Sequence, residues 1–96
     1  MRLTEHEVES IKKAFIETFE DGAIYLFGSR IDDSKRGGDI DLYICPHKKY
    51  DDEMQRKIKF LVKLDEYIGE QKIDAVVAKD KTRLIEREAI STGIKL

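Results

Sequence analysis

The sequence predicts an α/β domain of the α+β kind: a small three-stranded mixed sheet with helices packed on one face, in the order α-β-(α)-β-α-β-α. Three observations predict it. Two long segments carry apolar residues at spacings of three and four, the period of a helix with one buried face. Three short runs, residues 23–27, 39–45 and 72–78, are rich in strand-forming side chains. Gly22, Pro46 and Gly69 stand between these segments, where the chain must turn.

Each element has a local reason. Thr4 and Glu7 form the two ends of a capping box that starts the first helix. Val8, Ile11, Phe15 and Phe19 then mark its apolar face. Asp21-Gly22 is expected to end it, with Gly22 in the left-handed position past the last turn. Strand one follows. Residues 28–38 are a polar, glycine-bearing connection, opened by a helical turn at Ser29. Strand two runs up to Pro46. A second long helix covers 51–68, with Met54, Ile58, Leu61, Leu64 and Ile68 as its stripe, widened by Phe60 and Tyr67. After strand three, Thr82 is expected to cap a last helix carrying Leu84, Ile85 and Ala89, closed by Gly93.

Composition narrows the class. With 96 residues, 41% of them hydrophobic, the chain suits one domain over 1–96 with a modest core. A formal net charge of −2 gives no basic field for nucleic acid. No apolar run is long enough to span a membrane, and the N-terminus carries no signal region, so a cytoplasmic protein is expected. The single cysteine, Cys45, sits in an apolar run and reads as a buried, inert thiol. Neither His6 nor His47 has a metal-ligand partner at suitable spacing.

The chemistry concentrates on strand two. Alternate residues of a strand point the same way, about 6.5–7 Å apart. Asp39 and Asp41 therefore share a face with Tyr43 and Cys45, and Ile40, Leu42 and Ile44 share the other. On strand three Asp74 and Val76 alternate with Ile73, Ala75 and Val77. If the aliphatic sets make one core face, then Asp39, Asp41 and Asp74 crowd the other. Three such acids repel unless cations lie between them, and hard carboxylate oxygens select Mg²⁺ or Mn²⁺. The Gly28-Ser29 turn at the end of strand one offers backbone N–H groups and a hydroxyl to phosphate.

These residues resemble a known family. Phe27-Gly28-Ser29, nine residues, then Asp39-Ile40-Asp41-Leu42 is similar to the signature of the nucleotidyltransferase superfamily that includes DNA polymerase beta and kanamycin nucleotidyltransferase. Asp74 is placed for that family's third carboxylate. The length, and the ending from Arg87 to Leu96, most resemble the minimal nucleotidyltransferases, many of which are antitoxins encoded beside a HEPN-domain protein. The chain departs from the pattern in Gly37-Gly38 before Asp39, and in Ile31 followed by Asp32-Asp33.

The resemblance implies a palm-like nucleotidyltransferase fold and a metal-dependent reaction. Asp39, Asp41 and Asp74 would be catalytic and metal-binding, with two Mg²⁺ or Mn²⁺ ions. Gly28, Ser29 and Arg30 would bind the nucleotide, most naturally ATP; Lys35 and Arg36 on the loop are open to two roles, neutralising phosphate charge or standing solvated. The acceptor would be a hydroxyl on a HEPN toxin, in a hetero-oligomer or beside a homodimer, with no membrane and no nucleic acid involved. Tyr25, Tyr43 and Val76 would help build the acceptor-binding surface. Two other readings share the same residues: an antitoxin that neutralises by occlusion without catalysis, and a small-molecule nucleotidyltransferase.

Overall fold

The computed structural model describes residues 3–28, 39–79 and 84–96, with the side chains of Ile85 and Glu88 excepted. Helix α1 spans Glu5–Phe19, strand β1 Gly22–Phe27 and β2 Ile40–Pro46. Helix α2 spans Glu53–Ile68, β3 Ile73–Val77, α3 Leu84–Thr92 and β4 Ile94–Lys95. The strand order is β3-β2-β1-β4. β1 pairs antiparallel with β2 and with β4, while β2 and β3 are parallel. A parallel pair needs a long crossover, and α2 supplies it.

The capping box forms as expected: Glu7 N–H donates to Thr4 Oγ1, and Thr4 N–H donates to Glu7 Oε1. The end of α1 differs. Glu20 takes the positive φ of 67°, with ψ −62°, and Asp21 N–H donates to Phe19 O at 2.7 Å. That is a γ-turn of the strained, positive-φ kind. Tyr50 Oη and Lys48 Nζ hold the Glu20 carboxylate at 2.8 and 3.0 Å, so the strained residue is tethered from outside the helix. Gly22 instead opens β1 at φ 136°, where a Cβ would lie 2.3 Å from Cys45 O. It serves the close approach of β1 to β2, not the helix end.

The aliphatic face of the sheet is the core. Ile24, Leu26, Ile40, Leu42, Ile44, Ala75 and Val77 are buried there against Ile11, Phe15 and Phe19 of α1 and Phe60 and Leu64 of α2. Most of the face expected of α2 meets the core: Phe60 and Leu64 are fully buried, and Leu61, Tyr67 and Ile68 pack against it partly buried, whereas Met54 and Ile58, also expected there, are more than half exposed, with Val62 beside them.

Two further corrections concern the edges and faces of the sheet. Among the described residues there are four strands, not three: after Gly93 the chain adds β4 to β1, pairing Ile94 with Leu26 and Lys95 with Tyr25. The helices are not all on one face. α1 and α2 cover the aliphatic side, but Glu86 of α3 accepts a hydrogen bond from Tyr43, which points to the opposite side. Tyr43 is completely buried and Tyr25 partly so, which takes Tyr43 out of the surface expected for an acceptor. On α3 Ala89 is buried but Leu84 is exposed. Cys45 is only partly buried. Thr82 and the turn expected at Ser29 lie outside the described residues.

Candidate active site

Strand register brings the acids together. Phe27 pairs with Asp41, and Asp41 pairs with Asp74, so the three stand in one row across β1, β2 and β3. Neighbouring strands lie about 4.8 Å apart, and residues in register on them present their side chains to the same face. Asp39 lies just before β2 on the same face as Asp41. Its Oδ2 is 3.6 Å from Lys72 Nζ. Lys72 falls opposite Asp39 because the register that pairs Ile40 with Ile73 extends back by one residue.

Gly28 fixes the near wall. It follows β1 directly and holds φ 79°. A Cβ on it would lie 2.3 Å from Asp41 Oδ2 and 3.1 Å from Asp41 Cγ. The Asp41 carboxylate thus rests against the bare Cα of Gly28. Glycine is required twice over, by backbone conformation and by space. Ser29, Arg30, Lys35 and Arg36 lie outside the described residues.

The electrostatics follow from this crowding. Burial, then the charge of Asp74, then that of Asp39, holds the Asp41 carboxyl above the usual aspartate range. The acids sense one another, and the free protein carries that repulsion. Among the described residues no three His, Cys, Asp or Glu side chains close on a common point. Asp39 leans to Lys72. The donor set still fits a divalent cation. Its oxygens are hard, two of its carboxylates are register neighbours, and the one against Gly28 is disfavoured as a bare anion.

A cavity of about 400 Å³ runs from this row over the edge of the sheet. Phe27, Asp41, Asp74 and Val76 line it on the acid side, and Lys57 and Leu61 of α2 close it beyond β3. On the same sheet face, nearer the other end of the strands, α3 seals the surface. Tyr43 Oη–H donates to Glu86 Oε1 at 2.9 Å, and the Lys79 backbone N–H donates to the same oxygen at 3.0 Å. Burial, then the bond to Glu86, pushes the Tyr43 phenol up. Sequence reasoning missed Lys57, Lys72 and Glu86. Strand period two could have placed Lys72 beside Asp39, but nothing local singles out Lys57 or Glu86.

The comparisons with known proteins join here. The model of the family described as polymerase beta nucleotidyltransferase matches residues 9–96, nearly the whole chain. The chain belongs to that family, and its mixed sheet with helices is that family's fold. Nucleotidyltransferases of this family generally use divalent metal ions and nucleoside triphosphates, so membership supports transferase chemistry at this site. Searches of curated proteins and of solved structures returned no significant match. Among the described residues no helix is long and apolar enough to cross a membrane.

Proposed function

We propose that this chain is a metal-dependent adenylyltransferase that moves AMP from ATP to a hydroxyl of a partner protein, a HEPN toxin, and so acts as its antitoxin. The observation that carries the reaction is the row in which Asp41, pressed against Gly28, stands in register with Asp74. The partner and the antitoxin role rest on the resemblance to the minimal nucleotidyltransferases.

Asp39 and Asp41 would hold the ion that accompanies the triphosphate, and Asp41 with Asp74 a second one near the acceptor. Bound there, the two ions supply charge neutralisation for the attacking and leaving oxygens of an in-line displacement. Asp41 is the residue common to both. Gly28 keeps the approach to it open, and the Gly28-Ser29 amides with the Ser29 hydroxyl would hold the terminal phosphates. The acceptor oxygen bonds to the α-phosphorus, the α–β bridging P–O bond breaks, pyrophosphate leaves and the hydroxyl proton goes to solvent.

The test is incubation with α-labelled ATP, Mg²⁺ and the protein encoded by the neighbouring reading frame, expected to be a HEPN protein. Label is expected on the HEPN protein. Asp41→Asn should lower transfer by on the order of 10³-fold or more, a loss of at least ~4 kcal/mol of transition-state stabilisation, with the fold retained. Transfer that survives in this variant would move the reaction to another site. Neutralisation of the toxin with no label incorporated would leave occlusion as the function.

A further inference from the structure

Lys72 stands on the acid face, and the reaction proposed above gives it no part. Two contacts place it. Ile40 N–H donates to Lys72 O at 3.0 Å, which pins the start of β2 to the start of β3. That bond and the register of Ile40 with Ile73 set Lys72 opposite Asp39, and its Nζ lies 3.6 Å from Asp39 Oδ2. Lys72 also precedes Asp74 by two residues, so the two side chains share a face about 6.5–7 Å apart. The ammonium pairs with Asp39; among the described residues that is its one ion pair. The pair is open to water, with 79% of the Lys72 side chain and 32% of the Asp39 side chain accessible. An ion pair so exposed adds little to the fold and opens easily. It still competes for the carboxylate, because any cation drawn to Asp39 meets a positive charge already beside it.

We infer that Lys72 is the resident counter-ion of Asp39 and sets the order in which the acid row fills: a divalent ion alone is taken by Asp41 and Asp74, and Asp39 receives one only when a nucleoside triphosphate comes with it. The inference rests on the two-ion reading above. Asp41 and Asp74 are register neighbours, and burial with both acids around it disfavours Asp41 as a bare anion. That pair gains most from a free ion. Asp39 has its charge partly met by Lys72. A bare ion at Asp39 must displace the ammonium or sit beside it, and either lowers affinity. A triphosphate changes the balance, because its charge attracts both the ion and the ammonium. The flexible four-carbon stem lets the ammonium leave Asp39 without moving the strand. Lys72 thus acts through Asp39, as a positioning residue, and keeps the free chain from loading fully without its substrate.

The experiment counts Mn²⁺ bound to the full chain, by electron paramagnetic resonance of the free ion, with and without α,β-methylene ATP, an analogue that cannot lose pyrophosphate. The wild-type chain is expected to bind one ion by itself and two with the analogue, after subtraction of the ion held by free analogue. Lys72→Gln should bind two by itself, the second at least about fivefold tighter than in the wild-type chain, the order of effect a neighbouring unit charge has on a divalent ion in water. Lys72→Arg keeps the charge and should restore the wild-type count. Asp39→Asn added to Lys72→Gln should return the count to one, which ties the second ion to Asp39. A merely structural role for Lys72 would move the ion-free melting temperature and not the count. Identical counts and affinities in the wild-type chain and Lys72→Gln would overturn the role of Lys72 and leave the two-ion reading standing. So would two ions on the wild-type chain without nucleotide. No Mn²⁺ on either chain at millimolar concentration would strike the two-ion reading itself, and the inference with it.

Discussion

The two faces of one sheet obey opposite rules. On the aliphatic face Ile40, Leu42 and Ile44 are fully buried beneath α1 and α2, and every side chain gains from being there. On the other face, one residue along the same strand, Asp41 is half-buried beside Asp74 and is disfavoured as an anion by its position. The first face holds the fold together; the second places Asp41 where burial and its acidic neighbours disfavour the bare anion, a cost that protonation or a bound cation relieves. A strand thus serves stability and chemistry at once, because its side chains alternate. The contrast also explains why α3 covers only part of the acid face. It packs where Tyr43 and Glu86 can satisfy each other, and the row of Asp41 and Asp74 stays open.

The largest effect on stability should come from breaking the aliphatic face. Phe60→Ala removes a fully buried ring between α2 and the sheet. Such truncations cost about 3–5 kcal/mol, against the ~5–15 kcal/mol that holds a typical domain folded. Urea denaturation should show the midpoint collapse, or no folded baseline at all. A loss under 1 kcal/mol would mean that this face is not the core.

Next comes the near wall of the acid site. Gly28→Ala must hold a Cβ at φ 79° and displace the Asp41 carboxylate from 2.3 Å. The backbone part alone costs about 1–2 kcal/mol. Nucleotidyl transfer should fall with it, because Asp41 is pushed from the row. A variant with normal stability and normal transfer would show that the contact between Gly28 and Asp41 is dispensable.

Much of this was legible in the sequence, for reasons that particular residues make plain. Period two placed Asp39, Asp41 and Asp74 on one side and the aliphatics on the other, and a strand leaves no third choice. The Thr4–Glu7 box was legible because both partners lie within one turn. A helix is less decisive. In α2 the apolar residues cover more than one face, and Met54 with Ile58 matches the helical period as well as Phe60 with Leu64. Only contact with α1 and the sheet selects the second pair. β4 has two residues and no pattern to read. The positive φ at Glu20 depends on Tyr50 and Lys48, some 30 residues away in the chain.

The acid face should announce itself through pH more gently than the core does through truncation. Asp41's pKa is raised in the fold, so its protonated form is the one that favours folding. That contribution is whole below the ordinary aspartate value near 3.8 and is lost as pH rises through the raised value. Without divalent ions, the melting temperature of the wild-type chain should therefore carry a downward component over this window. Asp41→Asn should lack it, being neutral throughout. Mg²⁺ with ATP should offset it in the wild-type chain, since a ligand that binds only the folded state stabilises it. Parallel melting curves for wild type and variant from about pH 4 to about pH 7 provide the comparison. Identical curves would mean that the row carries no stored repulsion.

The smallest effect tests the turn of α2 itself. Ile58 lies two residues before Phe60 and reads as core by period alone, yet it is more than half exposed. Ile58→Gln should change stability by no more than about 0.5 kcal/mol, as surface substitutions do. The difference between this variant and Phe60→Ala measures which face of the helix meets the sheet. Glutamine and isoleucine differ little in helix propensity, so propensity does not mask the result. Since Lys57 and Leu61 flank Ile58 on the same helix, the helix orientation that exposes Ile58 is also the one that brings those two residues to the open edge of β3. A large loss at Ile58 would rotate α2, bury what is exposed, and remove Lys57 and Leu61 from the wall of the cavity beside Asp74.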